Sequence, residues 1–460
     1  MNLNRLRKAR FDALCYSRNP IFDIAANVTE WWADAQEKVL GIVLLDLTDH
    51  DWSIVILGRD EVGMFRAIAV DVCFTTQGEA STHLQRRMLE FVATGATDFP
   101  QNDVTRKKLE ILQPEVPVEK THRNFKILLN DVGHSAAREI LKELAYAFID
   151  VDGNYVRDFQ TTGFNSRLWE LYLFAFLYEQ RFSIFKAFKP PDYCAAKNGF
   201  PIALEAVTVN ATDGENSPRP DTESELVKLR QDYMPIKFGS ALFSKLNKRY
   251  WELPQVTGRP FLLAIHDYHG NDSMTWSSPA LGDYLFGLRA SWVKDADGIL
   301  HVTETPIYEH VWGDKRVPSG FFNLAEAKFV SAVLFSNSAT LAKFNRMGKL
   351  AGFGDDSVTM IRVGDRHDFT PHSTKPIRFY AEVDPDKYAE NWSEGMQVFH
   401  NPNALFPLGL QIFEGCAQHF IEQGKRTSYL PESFVHSSNT LLFIRHGGNP
   451  FVRKQDQDIF

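Results

Sequence analysis

Apolar positions along this chain come in short runs, some continuous and some spaced by three and four residues, and each spacing predicts a different element. Residues 41–47 and 52–57 are apolar runs flanking Thr48-Asp49-His50-Asp51, which predicts a hairpin, and a further strand is expected over 64–74. Residues 83–93 and 136–148 have helical spacing, with Leu141, Leu144, Ala145 and Phe148 along one side of the second. The stretch 164–178 predicts a buried helix, because Leu168, Leu171, Tyr172, Ala175 and Phe176 recur at three- and four-residue steps. Asn165 or Ser166 is expected to cap its start.

Two strands follow, over 193–196 and 200–209, joined by Asn198-Gly199, a strong hairpin signal between apolar runs. A helix over 237–250 places Leu242, Phe243, Leu246 and Tyr250 on one face. After Gly258-Arg259-Pro260, the continuous run 261–265 suits a strand covered on both sides. The stretch 211–221, rich in Gly, Asn, Ser, Pro and Asp, is expected to be an exposed loop, and turn signals near 294–298 and 352–356 mark soft boundaries. Residues 377–383 predict a strand and 417–422 a short helix. The expected organisation is an N-terminal α+β domain over 1–150, a central core over 151–295 and a C-terminal α+β region over 296–460 that folds back on it.

With 460 residues, 44% of them hydrophobic and 13% aromatic, the chain has the material for at least one large core, which excludes a disordered reading. No apolar run approaches the roughly eighteen residues of a membrane span, so no membrane partner is expected. The N-terminal residues lack a secretory pattern. Cys15, Cys73, Cys194 and Cys416 are too dispersed for a zinc module or a disulfide framework, and a reducing cytoplasm fits that usage. A formal net charge of −8 argues against a general nucleic-acid binder. It leaves room for a local basic approach to an acidic centre.

Three carboxylates carry the candidate chemistry. Glu170 lies inside the otherwise apolar helix, where an unpartnered charge is costly. Asp192 opens one hairpin strand and Glu205 lies in its antiparallel neighbour, so the two converge and can share a divalent cation. The order helix, hairpin, helix, strand, with Glu170, Pro191-Asp192 and Glu205 placed within it, resembles the PD-(D/E)XK superfamily of metal-dependent nucleases over about a quarter of the chain. Ser166-Arg167-Leu168-Trp169-Glu170-Leu171-Tyr172 and Leu204-Glu205-Ala206-Val207-Thr208 are similar to phrases of its bacterial members.

The resemblance implies an α/β protein with a restriction-endonuclease-like core flanked by α+β regions, acting on phosphodiester bonds, with DNA as the expected partner. A role in restriction, phage defence or DNA repair follows by analogy of fold alone. It implies Mg²⁺ or Mn²⁺ held by Asp192 and Glu205, with Glu170 binding a second ion or a metal-bound water. The family's lysine lies two residues after the strand acid, on the same face. Here that residue is Val207, so the positive charge is expected from the following helix, from Lys245 first and from Lys237 or Lys248 behind it. Val207 equally motivates an alternative, a catalytically inactive member that binds nucleic acid or a protein partner.

Plainer readings stand beside these. Glu170 lies three residues after Arg167 and suits a helix-surface ion pair, and Lys245 suits a solvated or phosphate-facing lysine. His266, Asp267 and His269 are expected in a strand-end loop, and Asp365, His367, Asp368 and His372 in a polar loop before a strand. Phe335-Ser336-Asn337-Ser338 is expected to be a loop or cap, and His400-Asn401-Pro402-Asn403 a turn. The sequence leaves the oligomeric state open.

Overall fold

A computed structural model describes residues 2–453, apart from 21, 186–187, 212–216, 271–274 and 447–448. The expected loop over 211–221 therefore lies partly outside the described residues. The chain is mixed α/β with several sheets. The first is antiparallel and runs in sequence order: β1 (Leu3–Arg5), β2 (Ala26–Asp34), β3 (Val39–Asp46), β4 (Trp52–Arg59) and β5 (Phe65–Phe74). Helix α1 (Gln77–Ala93) lays Ala80, Leu84 and Met88 against Val39, Val43, Ile54 and Ile56 of that sheet. It begins earlier than its apolar spacing predicts, because the Thr76 side chain accepts from the Glu79 amide and caps it there.

Helices α2 (Ser135–Ala147) and α3 (Phe164–Glu179) follow. Every residue of α3 from Leu168 to Leu177 is buried, in keeping with apolar side chains all round the helix. Its N-cap is Gly163, without a side-chain bond, so neither Asn165 nor Ser166 caps it. The Ser166 hydroxyl instead pairs with that of Thr208 at 3.1 Å, tying the helix start to the hairpin.

The main sheet begins with β6 (Ser183–Phe185), β7 (Tyr193–Lys197), β8 (Phe200–Asn210) and β9 (Phe261–Tyr268). Between the last two lies α4 (Met234–Leu246), and after them α5 (Ser278–Phe286). Two hairpins follow: β10 (Leu288–Lys294) with β11 (Leu300–Pro306), and β12 (Glu309–Trp312) with β13 (Lys315–Pro318). The chain continues through β14 (Ala332–Ser336), α6 (Leu341–Leu350), β15 (Val358–Arg366), β16 (Ile377–Glu382), β17 (Gln397–His400), β18 (Ala417–Glu422), β19 (Lys425–Tyr429), β20 (Val435–His446) and β21 (Asn449–Arg453).

The eight-stranded sheet has the order β19-β18-β17-β14-β9-β8-β7-β6, and a four-stranded sheet has the order β16-β15-β20-β21. In the larger sheet β6, β7 and β8 form an antiparallel meander, while β8, β9 and β14 run parallel. Residues 417–422 are thus a strand, not the expected helix, and parallel pairing with β17 overrides their local spacing. The soft boundary near 294–298 falls in the turn of the β10–β11 hairpin. The segments 151–295 and 296–460 each give four strands to one sheet.

Period-two alternation sorts β8 onto two cores. Ala203, Val207 and Val209 pack with Leu242 and Leu246 of α4, whereas Ile202 and Leu204 join Leu168, Trp169 and Tyr172 of α3. Helix α4 ends at Leu246, short of the expected Tyr250, and Phe243 faces solvent. Arg249 adopts a left-handed backbone at φ 50°, which turns the chain sharply and returns Tyr250 to the interior. Among the described residues, no helix is long and apolar enough to cross a membrane.

Candidate active site

Glu205 shares its face of β8 with Ala203 and Val207, so it points toward α4, and its side chain is only 6% exposed. A carboxylate so far from water requires donors. Lys245 Nζ donates to Glu205 Oε1 at 2.6 Å, and the Tyr250 hydroxyl donates to the same oxygen at 2.7 Å. The backbone amide of Asp192 approaches Oε2 at 3.3 Å. Val207 is 2% exposed within the α4 core, so the face position two residues after Glu205 holds no charge. Lys245, from the following helix, reaches Glu205 instead.

Asp192 stands where the β7–β8 ladder ends, just beyond the Tyr193↔Leu204 pair. Its Oδ2 accepts from the Ala206 amide at 2.8 Å, taking a donor that the departing strand would otherwise leave unpaired. Asp192 and Glu205 are therefore adjacent on one end of the hairpin. Burial pushes the Glu205 carboxyl above its ordinary value, the nearby Asp192 charge adds to that, and Lys245 and Tyr250 oppose it. The Tyr250 phenol is also raised, by burial first and then by the Glu205 charge.

Glu170 meets this centre from α3. Its carbonyl accepts from the Tyr193 hydroxyl at 2.6 Å, which fixes the helix to the first residue of β7. Its carboxylate is held by Arg167 Nη1 at 2.9 and 3.2 Å, and Arg167 Nη2 donates to Asp158 at 2.6 Å. Burial works to lower the Arg167 pKa, but the Glu170 charge and the Asp158 bond outweigh it and raise the net value. Glu170 and Asp192 line one small cleft together with Tyr155, Arg167 and Lys189. Lys189 itself pairs with Asp152.

The structure thus brings Asp192, Glu205 and Lys245 into direct succession and sets Glu170 beside Asp192, with Arg167 on its carboxylate. Lys237 lies over the Tyr233 ring and Lys248 over the Tyr250 ring. Among the described residues no three His, Cys, Asp or Glu side chains form a metal-ligating group. A cation here would rest on Asp192 and Glu205. Their hard oxygens suit Mg²⁺ or Mn²⁺, which commonly bind through one or two carboxylates with water and phosphate completing the shell. Tyr250 and Asp158 had no distinguishing signal in the sequence. Their roles arise from the left-handed turn at Arg249 and from the bend that brings Asp158 back to α3.

The other polar groups fall elsewhere. His266 and Asp267 are fully buried inside β9, not in a loop. Asp267 Oδ1 accepts from the amide and Nδ1 of His269, at 3.0 and 2.7 Å. Burial lowers His266 to about 3, which keeps its ring neutral. Asp365 lies in β15 and pairs with Arg378 at 2.9 Å, Asp368 accepts from the Thr370 amide, and His372 accepts from the Leu300 amide, so these residues do not converge. Phe335 and Ser336 belong to β14 rather than to a loop. Compared with protein-family models, curated proteins and solved structures, the chain shows no match.

Proposed function

We propose that the chain is a divalent-metal-dependent nuclease with a restriction-endonuclease-like core, hydrolysing phosphodiester bonds, those of DNA first. The observation that carries this reading is the meeting of Asp192 and Glu205 at the open end of the β7–β8 ladder, with Lys245 delivered to Glu205 by α4. Bound to the two carboxylates, Mg²⁺ or Mn²⁺ would polarise the phosphodiester and make attacking water more acidic. Lys245 would donate to a non-bridging phosphate oxygen as negative charge builds there. Glu170, held by Arg167, which Asp158 anchors in turn, would line the approach beside Asp192. In the reaction a water oxygen bonds to phosphorus, that water gives up a proton, and the bond to the leaving deoxyribose oxygen breaks. That oxygen takes up a proton, giving a phosphate monoester and an alcohol.

Supercoiled plasmid, single-stranded DNA and RNA incubated with Mg²⁺, Mn²⁺ or EDTA test the reading. Metal-dependent cleavage is expected, lost in Asp192→Ala and Glu205→Ala and reduced by about 10²-fold or more in Lys245→Ala. Cleavage undiminished in both carboxylate variants removes the proposed site. One observation favours a second reading, an inactive nuclease-fold protein that binds nucleic acid or a protein partner. Glu205 Oε1 already takes two donors, Lys245 and Tyr250, and its carboxylate is charge-paired without a metal. Retained DNA binding in a gel-shift assay, with no cleavage under any cation, would decide for it.

A further inference from the structure

A second polar cavity lies away from the carboxylate centre, at the carboxyl end of β14. It encloses about 60 Å³ and lies between the main sheet and the four-stranded sheet, with Ser338, Thr340, Arg346, Arg362, Ser438 and Asn439 among its walls. Two features of this cavity bear on what it holds: its charge and its donors.

The charge comes from a buried network. Lys343, Arg346 and Arg362 meet Glu390, Arg362 also meets Glu394, and the Glu179 charge acts on Lys343. Arg346 and Arg362 are only 4% and 5% exposed. The charges are also segregated. Among the described residues no Asp or Glu lines this cavity, whereas Glu390 and its neighbour Glu179 line a separate cleft of about 440 Å³. The guanidinium groups therefore face a space without a compensating carboxylate on its walls, and in a low-dielectric interior such a field favours an anion.

The donors are in place around that field. Arg346 Nη1 donates to the Thr440 hydroxyl at 2.7 Å and Arg362 Nε to the Ser438 hydroxyl at 2.9 Å, which fixes both groups on the wall. Asn439 Oδ1 is buried without a donor. The two orientations of a side-chain amide are nearly isosteric, so turning this one presents its NH₂ to an oxyanion. The ten-residue helix α6 starts at the same place, capped by the Thr340 side chain, and its N-terminus adds positive potential.

We infer that this cavity is a binding site for a small oxyanion of the phosphate class, either free phosphate or the phosphate group of a nucleotide. The inference does not rest on the nuclease reading, because it uses none of the residues Glu170, Asp192, Glu205 or Lys245.

The test uses the full chain in EDTA, which keeps the carboxylate centre free of metal, at constant ionic strength balanced with chloride. Inorganic phosphate should raise Tm saturably and give a one-site isotherm by calorimetry. A nucleoside 5′-monophosphate in a parallel arm distinguishes the sources: tighter binding than inorganic phosphate assigns a nucleotide, and weaker binding assigns the free ion. Asn439→Asp places a carboxylate on the cavity wall and should weaken phosphate binding by at least about tenfold. Ser338→Asp should do the same while raising Tm without phosphate, because its carboxylate lies beside the α6 N-terminus. Two outcomes overturn the inference: no saturable response of the wild-type chain to either probe, or a response unchanged in whichever of the two variants folds. A cavity that holds only water gives the first.

Discussion

Glu205 is a carboxylate held almost out of water by two donors on a single oxygen, and that arrangement sets what its neighbours contribute. A hydrogen bond to a charged group contributes roughly 1.5–3 kcal/mol. Tyr250→Phe deletes one such bond and little volume, so it should lower unfolding free energy by about that amount in urea denaturation, with the m-value unchanged. A loss below about 0.5 kcal/mol would show that the phenol adds nothing to Glu205. Part of this site was legible in the residues themselves. Period-two alternation put Val207 on the face of Glu205, and the resemblance, which implies a lysine there, pointed past the strand to Lys245. Tyr250 was legible only as part of an apolar face, because its return depends on the left-handed backbone at Arg249, which local spacing does not encode. For Glu170, the sequence-level ion pair with Arg167 is present, and the cleft shared with Asp192 is present beside it.

Elements separate into those that local pattern determines and those that pairing determines. The β3–β4 and β7–β8 hairpins, α2, α3 and β9 lie within a few residues of their predicted places, because each follows a clear helical period or a well-bounded apolar run. Strand β6 has only three residues, too few for a period to show, and β18 has a helix-like spacing that its pairing with β17 overrides. Helix packing gives a sharper test than any boundary. A Cβ on Gly348 of α6 would lie 2.3 Å from the Ala136 carbonyl oxygen of α2, whereas one on Gly78 near the start of α1 meets nothing within 4 Å. Gly348→Ala should therefore push α2 and α6 apart and cost about 1–3 kcal/mol. Gly78→Ala should be neutral or stabilise by up to about 1 kcal/mol, through helix propensity alone. Equal urea midpoints for the two variants would show that the contact between these helices gives way freely.

At the scale of the whole molecule, one sheet crosses what the sequence divides into two regions, and a buried ionic knot fastens the second of them. Glu390 binds Arg346 and Lys343 of α6, with Arg362 of β15 close by. Burial alone would raise the Glu390 carboxyl, but Arg346, Lys343 and Arg362 together hold it well below its ordinary value of 4.5. A depressed carboxylate contributes stability that is complete above its unfolded value and disappears as pH falls through the folded one. Tm should therefore drop as pH is lowered below about 4.5. Glu390→Gln should lose on the order of 3–5 kcal/mol at neutral pH and show a flatter acid limb, because it leaves buried cations unpaired. A variant with the wild-type acid limb would place the source of that limb elsewhere.

The β10–β11 hairpin has a use in the laboratory. Its strands are mostly exposed and its Asp295–Gly298 turn stands clear of both cores, so the backbone at the tip bears no packing load. A fluorescent reporter spliced between Ala296 and Asp297 should leave soluble yield and Tm close to those of the parent. Success would provide an optical handle that leaves β1 and β21 untouched, and aggregation of the fusion would show that the hairpin contributes to folding as well as to the surface.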